Sequence, residues 1–110
     1  MSHRAQKEEL FAHIAADFIN LESNRQSLVT VTRSVLSSDE KRLTIFISVL
    51  PDSYEDTALD FLKRKRKEFR AFAQKRARTR ILPFFDFEID YGEKNRIELE
   101  ALSDDNKPLE

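Results

Sequence analysis

The apolar residues of this chain change their spacing three times, and that succession limits the folds open to it. From Arg4 to Leu21, Leu10, Phe11, Ile14, Ala15, Phe18 and Leu21 recur at three- and four-residue steps, the period of a helix with one buried stripe. Between Leu28 and Leu36 the period becomes two, with Val29, Val31 and Val35 alternating against Thr30, Thr32 and Ser34. That pattern, rich in β-branched residues, predicts a half-buried strand. After the polar connection Ser37 to Lys41, Leu43, Ile45, Ile47 and Val49 alternate with Thr44, Phe46 and Ser48, so the two runs predict an antiparallel hairpin. A helical period follows Pro51, and a last period of two sets Phe85, Phe87 and Ile89 against Asp86, Glu88 and Asp90. Three short strands bury one face only when helices cover it, so the order predicts a small α+β sandwich.

The second helix is the unusual one. Pro51 cannot continue a paired strand, and Ser53, three residues before Asp56, is positioned to cap a helix start. Its apolar stripe has a gap, because Lys65 falls between Leu62 and Phe69 on the inward face. Either Lys65 snorkels or the helix bends between Lys65 and Lys67. The run ends between Thr79 and Pro83, since the residue before proline is pushed out of the α region. Lys94 to Leu102 has the composition of a short terminal helix and Ser103 to Glu110 that of a disordered tail. The 110 residues therefore read as one domain over 1–102 and a tail over 103–110.

Charge is concentrated in the same helix. Lys63 to Arg80 holds ten of the nineteen basic residues against a single acid, Glu68, while the whole chain has a net charge of -1. Helical spacing puts Lys63, Arg64, Lys67, Arg70, Lys75 and Arg78 on one broad face, opposite Ala58, Phe61, Leu62, Phe69 and Phe72. A helix that packs by one face and offers cations on the other suits a polyanion read by its backbone. Those six residues are the candidate polyanion contacts, and if the polyanion is a nucleic acid and they neutralise about six phosphates, log affinity should fall against log salt with a slope of roughly −4 to −5. Arg80 is either a further RNA contact or a hydrogen-bond donor to the helix end. Arg66 and Arg76 lie nearer the packed face, where a structural role competes with an RNA contact. Lys41 and Arg42, beside Asp39 and Glu40, read as ordinary hairpin charges.

Several functions drop out at the motif level. Without cysteine there is no disulfide framework, thiol nucleophile or thiolate metal site. With Gly92 as the single glycine, there is neither a loop to cradle a nucleotide nor a GxxG loop to clamp a single strand. His3 and His13 have no partner at metal-ligand spacing, so no metal or cofactor is expected. No apolar run reaches membrane-spanning length, and the first residues lack the apolar core of a signal peptide. A cytoplasmic, monomeric, non-enzymatic protein is the expectation, since no nucleophile with a neighbouring base can be named. Asp86, Glu88 and Asp90 read as the solvent face of the last strand, or as partners for the basic helix. One of Phe84 and Phe85 must leave the apolar face, and an exposed Phe84 would pack on the terminal helix or stack on a base.

Taken together, these pieces resemble the ribosome-binding factor A family. Val31-Thr32-Arg33 leading into Ser37-Ser38-Asp39 is similar to that family's first strand and hairpin connection, and Ile45-Phe46-Ile47-Ser48 to its second strand. Phe69-Arg70, then Arg80, Pro83, Phe87 and Asp90, follow the family's spacing of helix arginine, arginine before proline, and strand phenylalanine followed by aspartate. The resemblance runs from about Arg4 to Leu102 and implies a type II KH-like fold: helix-strand-strand-helix(-helix)-strand, with helices on one face of a three-stranded sheet. It also implies a maturation factor that binds the precursor small ribosomal subunit and its ribosomal RNA without chemistry, and needs no small-molecule substrate or membrane. The family marks the bend between its last two helices with alanine and glycine one residue apart; Lys65 and Lys67 stand there in this chain. The alternative to RNA is a protein interaction module whose basic helix docks an acidic partner.

Overall fold

The computed structural model describes residues 2–22, 26–79 and 81–92. Helix α1 (His3–Glu22) is followed by strands β1 (Leu28–Leu36) and β2 (Arg42–Leu50), a 3-10 turn (Asp52–Tyr54), helices α2 (Glu55–Arg64) and α3 (Arg66–Ala77), and strand β3 (Phe84–Ile89). The sheet order is β1-β2-β3, with β1 and β2 antiparallel and β3 parallel to β2. The result is an α+β domain of three helices and a mixed three-stranded sheet. The terminal helix and tail expected beyond Gly92, and Arg80, lie outside the described residues.

The helices cover one face of the sheet. From α1 come Phe11, Ile14, Ala15, Phe18 and Ile19; from β2 Leu43, Ile45, Ile47 and Val49; from β3 Phe85, Phe87 and Ile89; from α2 and α3 Leu62, Phe69 and Ala73. Phe69 joins the layers, its ring 4.8 Å from Phe85, 5.6 Å from Phe87 and 5.3 Å from Phe18, all edge-on. Such edge-to-face contacts add about 0.5–1.5 kcal/mol per pair to the gain from burial alone. Leu21, placed on the stripe by its spacing, is exposed because Ile19 takes the inward position. Among the described residues, no helix is long and apolar enough to cross a membrane.

Three local features depart from the sequence pattern. The alternation of β1 predicts Val35 inside with Val29 and Val31, but a bulge between Val31 and Arg33 shifts the register. An extra residue in one strand flips the side-chain alternation beyond it, so Ser34 and Leu36 are buried and Val35 is exposed. Ser34 tolerates this because its hydroxyl donates to the Glu8 carbonyl, while the Glu8 carboxylate accepts the Leu36 N–H at 2.7 Å. Ser53 does not cap a helix: Asp52 to Tyr54 form a 3-10 turn first, and α2 begins at Glu55 with no side-chain cap. Asp90 is buried rather than part of a solvent row. Its backbone N–H donates to the Ile47 carbonyl, and its carboxylate accepts the Thr32 hydroxyl at 2.6 Å and lies 3.2 Å from Arg33 Nε. It thereby fastens the end of β3 to the bulge in β1.

The long basic helix is two helices. Lys65 stands between them at φ −93 and ψ 9, its N–H shared between the carbonyls of Phe61 and Leu62 and its own carbonyl accepting the Phe69 N–H. These dihedrals are open to any L-residue, so the break forms without the family's glycine. A continuous helix would bring Lys65 onto the buried stripe between Leu62 and Phe69. The break lets its ammonium emerge, 3.8 Å from a Glu22 carboxylate oxygen and 5.6 Å over the Phe61 ring.

Candidate nucleic-acid interface

The bend places the cations. β3 is an edge strand and α2 packs against it, so the end of α2 and the start of α3 bring Lys63 and Arg66 to the β3 carboxylate of Asp86. Lys63, Arg64, Arg66, Lys67 and Arg70 line a cleft of about 430 Å³ together with Phe84 and Phe85. Among the described residues no acidic side chain lines it. Arg64, Lys67 and Arg70 are exposed. Arg64 pairs with Asp60 one turn back at 3.4 Å, and Arg70 donates to the Pro83 carbonyl at 3.0 Å, which holds its guanidinium at the cleft wall. Lys67 has no ion-pair partner among the described residues.

The acids of β3 sit behind this wall. Lys63 Nζ lies 3.3 Å from Asp86 and 3.5 Å from Glu88, and Arg66 lies 3.2 Å from the same Asp86 oxygen. Both outward acids of β3 therefore pair with the basic helices. Burial pushes the Asp86 carboxyl up, but the Phe87 N–H and the Lys63 and Arg66 cations outweigh it and hold the group below the ordinary aspartate value. The consequence is that Lys63 and Arg66 are half-buried and already partly neutralised, whereas Arg64, Lys67 and Arg70 keep most of their charge for solvent.

The remaining candidates fall elsewhere. Lys75 and Arg78 are exposed but do not line the cleft. Arg78 ends α3 in the left-handed conformation, φ 53 and ψ 36. Arg76 turns back to Asp17 of α1 at 3.0 Å and covers the Phe72 ring at 4.4 Å, a packing role. Sequence reasoning missed two members of the cleft region. Arg42, read as a hairpin charge, stands 5.2 Å over the Phe84 ring because the parallel register sets Arg42 opposite Phe84. Arg66, only half assigned, lies 5.3 Å from the same ring. The exposed Phe84 was the one available signal, since an aromatic at the head of an alternating strand must face away from the core.

Fold and cleft together define a small KH-like α+β domain with a cationic groove at its open sheet edge and no glycine loop. The model of the ribosome-binding factor A family matches residues 3–103. The chain belongs to the ribosome-binding factor A family. The crystal structure of ribosome-binding factor A from Thermus thermophilus superposes with a TM-score of 0.71 at 26% identity, covering 80% of this chain and 97% of that one. A Thermus thermophilus ribosome-binding factor A model fitted into a cryo-EM map of a 30S complex gives 0.68 at 27% identity, over 77% and 92%. A solution NMR structure of a Thermotoga maritima protein gives 0.66 at 22% identity, over 76% and 83%, which bears on the fold alone. No curated protein matches the chain.

Proposed function

We propose that this protein is a non-catalytic factor of small ribosomal subunit maturation, binding precursor small-subunit ribosomal RNA in the cytoplasm through the cations at the α2–α3 bend. Family membership and the Thermus thermophilus relative seen with the 30S particle support the partner. The observation that carries the RNA contact is the cleft itself, which gathers Arg64, Lys67 and Arg70 with their heads in solvent and no acid in its lining. Lysine and arginine heads so gathered displace counterions from phosphates, which makes binding strong and salt-dependent. Lys63 contributes by exchanging its carboxylate partners for phosphate, the exposed Lys75 and Arg78 extend the track along α3, and Arg80, outside the described residues, is a further candidate contact. A domain over 1–102 acts as one binding unit.

The test is co-sedimentation with immature and mature small subunits across a salt series. Replacing Arg64, Lys67 and Arg70 together with glutamine should leave the fold intact and flatten the slope of log affinity against log salt by roughly 2 to 3. Preference for immature particles that this variant loses is the expected result. Binding that survives both the triple variant and nuclease treatment would point instead to an acidic protein partner.

A further inference from the structure

Among the described strand residues, Phe84 is the exposed aromatic. It heads β3 at 47% exposure, while its neighbour Phe85 is 3% exposed in the core. Burying a phenylalanine is favourable by about 1.5–3 kcal/mol, so an aromatic left open beside five cations forgoes stability. Surface apolar residues are common one at a time, but this one lines a charged cleft and lies near two guanidinium groups. Arg66 is pinned by Asp86 at 3.2 Å. Arg42 has no ion pair or hydrogen bond from its guanidinium among the described residues, and its distance of 5.2 Å from the ring is that of a loose contact.

We propose that Phe84 is a stacking platform for one unpaired nucleobase of single-stranded RNA, whose flanking phosphates are held by Lys67 and Arg70. The inference rests on the RNA-binding reading above and narrows it from backbone to base. The cleft volume falls in the range of small-ligand sites. A base enters from the cleft, where Phe84 lies among the same lining residues as Lys67 and Arg70, and Arg42, beside the ring at 5.2 Å, is free to turn onto a phosphate. Paired bases hide their faces inside the helix, so a ring lining a cleft selects an unstacked nucleotide. Stacking is tolerant of base identity, and the site therefore distinguishes single strand from duplex without reading sequence.

The experiment compares binding of an eight-nucleotide oligoadenylate with an abasic oligonucleotide of the same phosphate number, for the full chain and for Phe84→Leu and Phe84→Tyr. Fold integrity is checked for each by denaturant midpoint. The wild type should bind the oligoadenylate about tenfold more tightly than the abasic strand. Phe84→Leu should lose that preference with its salt slope unchanged, and Phe84→Tyr should keep it. Equal, salt-sensitive binding of both strands by the wild type would overturn the platform and leave the cationic reading standing, as would a preference retained by Phe84→Leu. No binding of either strand at low salt would overturn both.

Discussion

The two sides of β3 were built from alternate residues of one six-residue segment, yet they do different work. Phe85, Phe87 and Ile89 are buried against α1 and α3, while Phe84, Asp86 and Glu88 face the cations of the bend. On the inner side the energy is non-directional and large, a matter of area and ring packing. On the outer side it is electrostatic, partly solvent-screened and small per pair. The outer row can therefore change with little threat to the fold, because the strand is held in place by its other face.

The largest expected effect lies on the inner side. Phe69→Ala, which empties the ring shared by Phe18, Phe85 and Phe87, should cost about 3–5 kcal/mol in urea denaturation. A loss below about 1 kcal/mol would break the contrast at its root. Next comes the one acid of the strand's end that is buried: Asp90→Ala should cost about 1–2 kcal/mol by removing the 2.6 Å acceptor of the Thr32 hydroxyl, which retains the longer bond to the Phe46 carbonyl at 3.2 Å, with Arg33 half in solvent and less affected.

Asp86→Asn sharpens the contrast from the outer side. Its folded carboxyl titrates below the ordinary value, so the stabilisation is complete above the unfolded pKa near 4 and is lost as pH falls through the lowered folded value. At neutral pH the variant should be less stable by under about 1 kcal/mol, and the gap to wild type should close in acid. A gap that persists at about pH 2 would mean the ion pairs are not its source. The same variant should bind RNA more tightly, since it releases Lys63 and Arg66 from their shared carboxylate. The smallest effect is at Arg78, whose left-handed backbone disfavours a side chain. Arg78→Gly should raise stability by up to about 1 kcal/mol while reducing the salt slope of RNA binding by about 0.7 to 0.9.

Periodicity sufficed for α1 and the three strands because each buries one face, and burial writes its period into the sequence. It could not reveal the bulge at Thr32, since Val35 reads as inward until the register slips. Ser53 misled because capping residues also suit turns, and here the chain makes a 3-10 turn before α2 starts. The charge run Lys63 to Arg80 was plain, but its division was not. Which cations are neutralised depends on Asp86 and Glu88, more than twenty residues from Lys63 in the chain. Arg42 was invisible as a neighbour of Phe84 for a related reason: parallel pairing follows from the crossover, and no local pattern encodes it.

That crossover also orders events in time. The hairpin of β1 and β2 closes over a handful of residues, whereas Arg42 and Phe84 meet only after a loop of about forty closes. Loop closure over the longer distance carries the larger entropic cost and slows the pairing that needs it. As a nascent chain lengthens, α1 and the hairpin can assemble while β3 is still unmade, and one wall of the cleft with it. A chain still on the ribosome that synthesises it therefore has no complete groove, and under the proposed role RNA capture would begin only once synthesis has passed the last strand.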